Sequence, residues 1–96
     1  MSAVTLISPT QRPLRSLVEA ALQNELRLLQ AGIRRTEQQL KAFEAQYALS
    51  SDEFLRRYEN DELSETLDLA EWVGEIRLLE RLREKANTLQ EIRFAN

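Results

Sequence analysis

Apolar residues recur at alternating spacings of four and three between residues 22 and 47. This pattern places them on one side of an α-helix, where they form a continuous apolar seam typical of coiled coils and helical bundles. The members of the seam are Leu22, Leu26, Leu29, Ile33, Thr36, Leu40, Phe43 and Tyr47. Pro13 suits the start of a helix because its missing N–H is harmless there, so we expect a first helix from about Leu14 to Ala48.

A second apolar stripe with helical spacing predicts another long helix, from about Leu67 to Phe94. Ser64 or Thr66 is available as its N-terminal cap. The inner stripe consists of Leu69, Trp72, Ile76, Leu79, Leu82 or Arg83, Ala86 and Leu89. Two long amphipathic helices joined by a brief connection return alongside each other, so the sequence predicts an all-α, antiparallel helical hairpin.

The segment between the two long helices contains its own helix-start signal. Ser50 and Glu53 have capping-box spacing, which predicts a short connecting helix from about Asp52 to Asn60. Opposite charges four residues apart are expected to pair Asp52 with Arg56 and Glu53 with Arg57.

A chain of 96 residues buries only a thin core. We therefore expect self-association, most simply a homodimer in which two hairpins bury their seams together as a four-helix arrangement. The residues assigned to this oligomer seam are Leu22, Leu26, Leu29, Ile33, Leu40, Phe43, Ile76 and Leu79. Further apolar residues on the flanks of the two helices, Leu17, Ala21, Leu28 and Leu78, favour the same expectation.

Residues 1–13 are predicted to form a flexible N-terminal arm, ahead of a single helical-hairpin domain at 14–96. Pro9 and Pro13 oppose helix formation in the arm, because each lacks a backbone donor and pushes the preceding residue towards an extended conformation. The run from Ala3 to Ile7 favours a β-strand and could add to the sheet edge of a partner. The alternative is a disordered terminus with incidental apolar residues.

Composition narrows the possible chemistry. The chain has no cysteine and no histidine, so it lacks disulfides, thiolate metal sites, the usual general base and the commonest metal ligand. We expect no catalytic residues, no metal and no cofactor. No apolar run approaches the length that spans a bilayer, which predicts a cytoplasmic protein without a membrane partner. The net charge is −3, and the basic pairs Arg34-Arg35 and Arg56-Arg57 are flanked by acids, so nucleic-acid binding by this chain alone is not expected.

Residues 59–75 form an acidic segment with seven acidic residues and no basic one: Glu59, Asp61, Glu62, Glu65, Asp68, Glu71 and Glu75. Three interpretations remain open: a solvated acidic face, a surface for a basic partner protein, or a divalent-metal site. The metal interpretation rests on carboxylate spacings that resemble those of helical nucleotide pyrophosphatases, which makes a Mg-dependent nucleotide hydrolase the remote alternative function. Under the second interpretation the partner-binding residues are Glu62, Glu65, Asp68, Glu71, Trp72 and Glu75.

Five of the six aromatic residues fall near the connection: Phe43, Tyr47, Phe54, Tyr58 and Trp72. They are expected to pack together, either as a small core that fixes the short helix or as an aromatic anchor for a partner. Trp72 could do both.

A family resemblance covers about residues 40 to 75. It is carried by Phe43, Tyr47, Leu49-Ser50-Ser51, Glu53-Phe54, Tyr58, Glu62-Leu63, Asp68 and Glu71-Trp72. This arrangement resembles small helical prokaryotic proteins encoded beside candidate toxins in toxin–antitoxin-like loci, and the resemblance implies a partner-binding or neutralising role. The family pattern has Gly near Ala48 and near Asp61, where this chain has none. The sequence thus predicts a non-catalytic protein–protein interaction module, antitoxin-like or regulatory, or alternatively a homo-oligomeric coiled-coil adaptor or spacer.

Overall fold

The computed structural model describes the backbone of residues 2–4 and 13–94, with side chains from 13 to 92. The elements in chain order are β1 (Ser2–Val4), α1 (Leu14–Tyr47), α2 (Ser51–Glu59), α3 (Leu67–Glu91) and β2 (Ile92–Phe94). Helices α1 and α3 pack side by side in opposite directions, and α2 closes one end of the pair. The all-α helical hairpin is thereby confirmed. The hairpin measures 60 × 21 × 18 Å, so it is a rod with a closed end at α2 and an open end at the outer termini of α1 and α3.

Local sequence features explain where the helices begin and end. Helix α1 starts directly after Pro13 and ends at Tyr47, because Ala48 adopts a left-handed conformation with φ 52°. The hydroxyl of Ser50 caps α2 by accepting a hydrogen bond of 3.1 Å from the backbone N–H of Glu53. Thr66, rather than Ser64, caps α3 by accepting a bond from the backbone N–H of Leu69.

The main core lies at the closed end of the hairpin. Its buried members come from all three helices: Leu40, Phe54, Leu69, Trp72 and Leu79. Towards the open end, Thr36, Leu29 and Ala86 are the further buried residues of the described chain. The hydroxyl of Thr36 donates a 2.8 Å hydrogen bond to the carbonyl of Gly32, so this buried polar group is satisfied within α1. The core therefore thins from the closed end to the open end.

The apolar seam of α1 is covered by α3 of the same chain, which changes the assignment of the oligomer seam. Leu29, Leu40 and Leu79 are buried within one hairpin and have almost no surface left for a second copy. Ile33, Phe43 and Ile76 are partly buried and pack against the same core. Leu22 and Leu26 are partly buried and line an open groove of about 540 Å³ between α1 and the end of α3. The assignment of the three buried leucines to a contact between hairpins is therefore wrong, because intrachain packing has already covered them.

The chain termini meet at the open end. Helix α3 was expected to reach Phe94 but ends at Glu91, because Ile92 is extended with ψ 131°. Strands β1 and β2 pair in parallel, with Ala3 opposite Arg93. Of the predicted flexible arm, only residues 2–4 and Pro13 are described, and residue 1 and residues 5–12 lie outside the described residues.

Candidate protein-binding site

Trp72 organises the closed end of the hairpin. Its side chain is fully buried and lies flat on Phe54 of α2, with ring centroids 3.9 Å apart and planes within 4°. Phe43 and Tyr47 of α1 also stack on the indole, at centroid distances of 5.5 and 5.6 Å. One indole thus contacts side chains from both other helices, and such aromatic pairs stabilise beyond their buried area. The first aromatic interpretation, a core that fixes α2, is confirmed.

Two adjacent serines hold the connection in place. Ser50 caps α2, while the hydroxyl of Ser51 accepts a 2.9 Å hydrogen bond from the indole Nε1 of Trp72. The backbone N–H of Ser51 donates a 2.7 Å bond to the carboxylate of Glu44 on α1. The start of α2 is therefore fixed to both long helices, and the buried indole N–H is satisfied.

Two tyrosines tie the acidic segment to the core. The Tyr47 hydroxyl donates a 2.8 Å hydrogen bond to the carboxylate of Asp68, and the Tyr58 hydroxyl donates a 2.6 Å bond to the carboxylate of Glu65. The bond to Asp68 raises the pKa of Tyr47 above its ordinary value, and the bond to Glu65 raises that of Tyr58, because each stabilises the protonated phenol. Glu65 and Asp68 thus have defined positions at the surface.

A charged cluster covers the outer side of α2. The guanidinium of Arg56 donates two hydrogen bonds to the carboxylate of Glu53, at 2.7 and 3.0 Å, and Arg57 donates another at 3.1 Å. These bonds lower the pKa of Glu53 to about 2. Arg56 also pairs with Glu62 at 3.4 Å. The expected pair of Glu53 with Arg57 is confirmed, whereas Arg56 pairs with Glu53 and Glu62 instead of Asp52, because the turn after α2 brings Glu62 back to it.

An apolar cleft of about 320 Å³ opens beside the acidic segment. Its walls come from all three helices and from the turn before α3: Tyr47, Leu49, Phe54, Arg57, Leu63, Ser64, Thr66, Leu69 and Trp72. Glu65 and Asp68 belong to the same stretch of chain, and the carboxylate of Asp68 accepts a hydrogen bond from Tyr47 of the cleft wall. Leu67, between them, has 76% of its surface exposed.

The structure distinguishes among the six predicted partner-binding residues. Glu62, Glu65, Glu71 are exposed, and Asp68 and Glu75 are partly exposed. Within the described residues, neither Glu71 nor Glu75 forms a hydrogen bond or an ion pair, so their charges are available. Trp72 is different because none of its surface is exposed, and its assignment as a partner contact is wrong for the folded hairpin.

Charge is distributed unevenly along the rod. Residues 44–76 carry ten Asp and Glu against two Arg, a net side-chain charge of −8. The rest of the chain carries eleven Lys and Arg against six Asp and Glu. The closed end is therefore strongly acidic and the remainder is basic, although the whole chain is close to neutral.

Other kinds of site find little support in the described part of the chain. No three of its acidic side chains are grouped in a way that could hold a metal ion. None of its helices combines the length and the apolar character that crossing a membrane requires. Searches against protein-family models, curated proteins and solved structures give no match to this chain.

Sequence reasoning missed the contacts of the two tyrosines and the exposure of Leu67. Tyr47 and Asp68 are 21 residues apart, and Tyr58 and Glu65 are separated by a turn, so helical periodicity cannot connect them. The exposure of Leu67 could have been predicted, because Leu67 is the first residue of α3, directly after the Thr66 cap, and lies outside the inner stripe.

Proposed function

We propose that this chain is a non-catalytic, cytoplasmic protein–protein interaction module, an antitoxin-like or regulatory partner that binds a basic protein through the acidic segment at its closed end. The observation that carries the proposal is the net charge of −8 on residues 44–76, beside an apolar cleft. Self-association of the hairpin is part of the proposal.

Electrostatic complementarity supports a basic partner. A surface with one sign of charge attracts partners of the opposite sign and disfavours others, since like charges brought together cost several kcal/mol. Glu71 and Glu75 are like charges four residues apart on one helix, an arrangement that costs a few tenths of a kcal/mol. A cationic side chain placed between them would remove that cost.

The apolar part of the same end supports a specific rather than a purely electrostatic contact. Exposed Leu67 offers an apolar side chain to a partner, and the adjacent cleft offers an apolar recess. Binding energy in protein interfaces is concentrated in a few anchors surrounded by polar residues. Because the tyrosine hydrogen bonds hold Glu65 and Asp68, this surface is preorganised and loses little freedom on binding.

The test is co-expression and pull-down with the product of the adjacent gene. We expect the two proteins to co-purify and the complex to be lost when Glu62 and Glu75 are both changed to Lys. Glu62→Lys/Glu75→Lys leaves the aromatic core intact, so the variant should keep its helical circular dichroism.

The matched control changes two exposed acids of the open end, Glu19→Lys/Glu84→Lys, which gives the same change in net charge. It should retain the partner. Equal loss in both variants would show that only overall charge matters, and the absence of any complex with the wild-type chain would reject the partner-binding proposal.

A second candidate function is that of a homo-oligomeric adaptor or spacer. The observation in its favour is the elongated shape, a rod 60 Å long and about 20 Å across. For a spacer the length and the contact between copies matter, and the acidic segment does not. Glu62→Lys/Glu75→Lys would then leave activity in the cell unchanged.

A further inference from the structure

The turn before α3 ends in a short stretch, residues 64–66, whose backbone is largely unpaired. Thr66 has φ −136° and ψ 165°, which is extended backbone. Ser64, Glu65 and Thr66 are all exposed. Within the described residues, their backbone N–H groups donate no hydrogen bond, and of their carbonyls only that of Thr66 accepts one, from Ala70 at 3.0 Å. The N–H and C=O of Glu65 are therefore free to pair with another chain.

The side chains of this stretch alternate between two surfaces. Ser64 and Thr66 line the apolar cleft. Glu65, between them, does not line it and instead accepts a 2.6 Å hydrogen bond from the hydroxyl of Tyr58. Alternation with a period of two is the property of a β-strand. Residues 64–66 therefore have the form of a very short strand with one acidic side and one side that faces the cleft.

The cleft can take apolar side chains from a partner. Leu49 and Leu63 are partly exposed in its walls, and 39% of Tyr47 is exposed. Phe54 and Trp72 have no exposed surface, so they support these walls from beneath. An apolar side chain that enters the cleft would contact the three exposed walls and leave water, which is favourable.

The acidic side of the stretch offers a carboxylate whose charge is not neutralised. The hydrogen-bond partner of Glu65 is the neutral phenol of Tyr58, and within the described residues Glu65 forms no ion pair. Opposite charges that face each other directly across two paired strands attract. A lysine or arginine of a partner strand opposite Glu65 would thus form a favourable pair.

Strand pairing determines which partner side chain meets which surface. Residues directly opposite each other on paired strands project to the same side, and their neighbours along the strand project to the other. The partner residue opposite Glu65 then lies on the acidic side, and the residues before and after it lie on the side of the cleft. The segment that fits both surfaces therefore alternates apolar, basic and apolar residues.

We propose that the basic partner binds as an extended segment of alternating apolar and basic residues, which pairs with the backbone of residues 64–66, places apolar side chains in the cleft and sets a lysine or arginine opposite Glu65. The inference rests on the proposed function and specifies how its partner is recognised. In this recognition mode main-chain hydrogen bonds give affinity, and pockets for alternate side chains give specificity. A basic helix, or a purely electrostatic contact, would use neither the peptide groups of Glu65 nor the cleft.

The experiment measures the binding of three dye-labelled heptapeptides by fluorescence anisotropy. The first alternates valine and lysine, the second contains the same residues with all lysines before the valines, and the third is the first with N-methyl groups on its lysine amides. The wild-type chain should bind the alternating peptide about tenfold more tightly than either of the others. The second peptide cannot satisfy both surfaces at once, and the third has lost the donors that pair with residues 64–66.

Variants of the chain test the two surfaces separately. Glu65→Lys should weaken binding of the alternating peptide at least about tenfold, whereas Glu84→Lys, the same change at an exposed acid outside the acidic segment, should leave it within about twofold. Ser64→Phe fills the cleft and should also weaken binding. Ser16→Phe, at an exposed serine of α1, is its matched control and should not. Circular dichroism verifies that every variant is folded.

The outcomes separate this inference from the proposed function. Equal affinity for the alternating peptide and either of the other two overturns strand pairing, and so does equal loss of binding in Glu65→Lys and Glu84→Lys, because total charge would then explain the contact. Failure of all three peptides to bind overturns it as well. The proposed function is judged independently, by co-purification with the product of the adjacent gene.

Discussion

The indole N–H of Trp72 donates its hydrogen bond to the hydroxyl of Ser51, across 2.9 Å and between two different helices. We expect Ser51→Ala to lower the free energy of unfolding by about 1 to 3 kcal/mol, because the substitution leaves a buried donor without a partner. Urea denaturation followed by tryptophan fluorescence measures this loss. Ser64→Ala changes an exposed serine near the same cleft and should have almost no effect; equal losses in the two variants would contradict the role given to Ser51.

Ala48 ends α1 with a positive φ of 52°, a conformation that costs an L-residue about 1 kcal/mol and glycine almost nothing. Ala48→Gly should therefore stabilise the hairpin by about 1 kcal/mol. The control is Ala42→Gly in the exposed interior of α1, which should destabilise it by a similar amount. Thermal unfolding of both variants provides the comparison. Two shifts in the same direction would show that the conformation at residue 48 differs from the one described.

Gly74→Ala should raise the free energy of unfolding by about 1 kcal/mol, measured at concentrations where the chain is monomeric. The added methyl group meets open space, so only helix propensity changes. At Gly32 the same substitution places a Cβ atom 3.4 Å from Leu82. The increase in the free energy of unfolding for Gly32→Ala should therefore be no larger than that for Gly74→Ala. A loss of stability for Gly74→Ala would mean that another part of the molecule already covers this position.

The low pKa of Glu53 predicts a defined acid dependence. In the folded chain this carboxyl titrates at about 2, below its ordinary value of 4.5, so its bonds to Arg56 and Arg57 stabilise the fold above about pH 4.5. That stabilisation is lost as the pH falls towards about 2. Wild type should thus be more stable than Glu53→Gln near neutral pH, by a small amount because the pair is exposed. Denaturation curves at successive pH values should show the difference in the free energy of unfolding between the two proteins disappearing in acid. A difference that persists at about pH 2 would contradict this assignment.

The elements that sequence could predict depend on residues close together in the chain. Pro13 marks the start of α1, and Ser50 with Glu53 marks that of α2, since a cap involves positions three residues apart. The inner stripe from Leu69 to Leu89 follows from helical periodicity alone. These features required no knowledge of how the helices meet.

The contacts that define the candidate site depend on that meeting. Asp68 contacts Tyr47 only because α3 folds back beside α1. Glu37 likewise pairs with Arg83 across the interface between these two helices, at 2.9 Å. The end of α3 was also beyond prediction, because β2 pairs with a strand 90 residues earlier. Periodicity identified an apolar seam but could not say whether the same chain or a second copy covers it.

The acidic closed end and the net basic remainder of the chain make the rod an electric dipole along its long axis. A cationic protein that diffuses near it experiences a torque and an attraction before any side chains touch, so it meets the closed end more often than chance would allow. This orientation acts over about 8 to 10 Å at physiological salt and further in dilute buffer. The hairpin thereby separates two tasks, since the aromatic core fixes the shape of the closed end while the distribution of charge along the rod sets the direction from which a partner arrives.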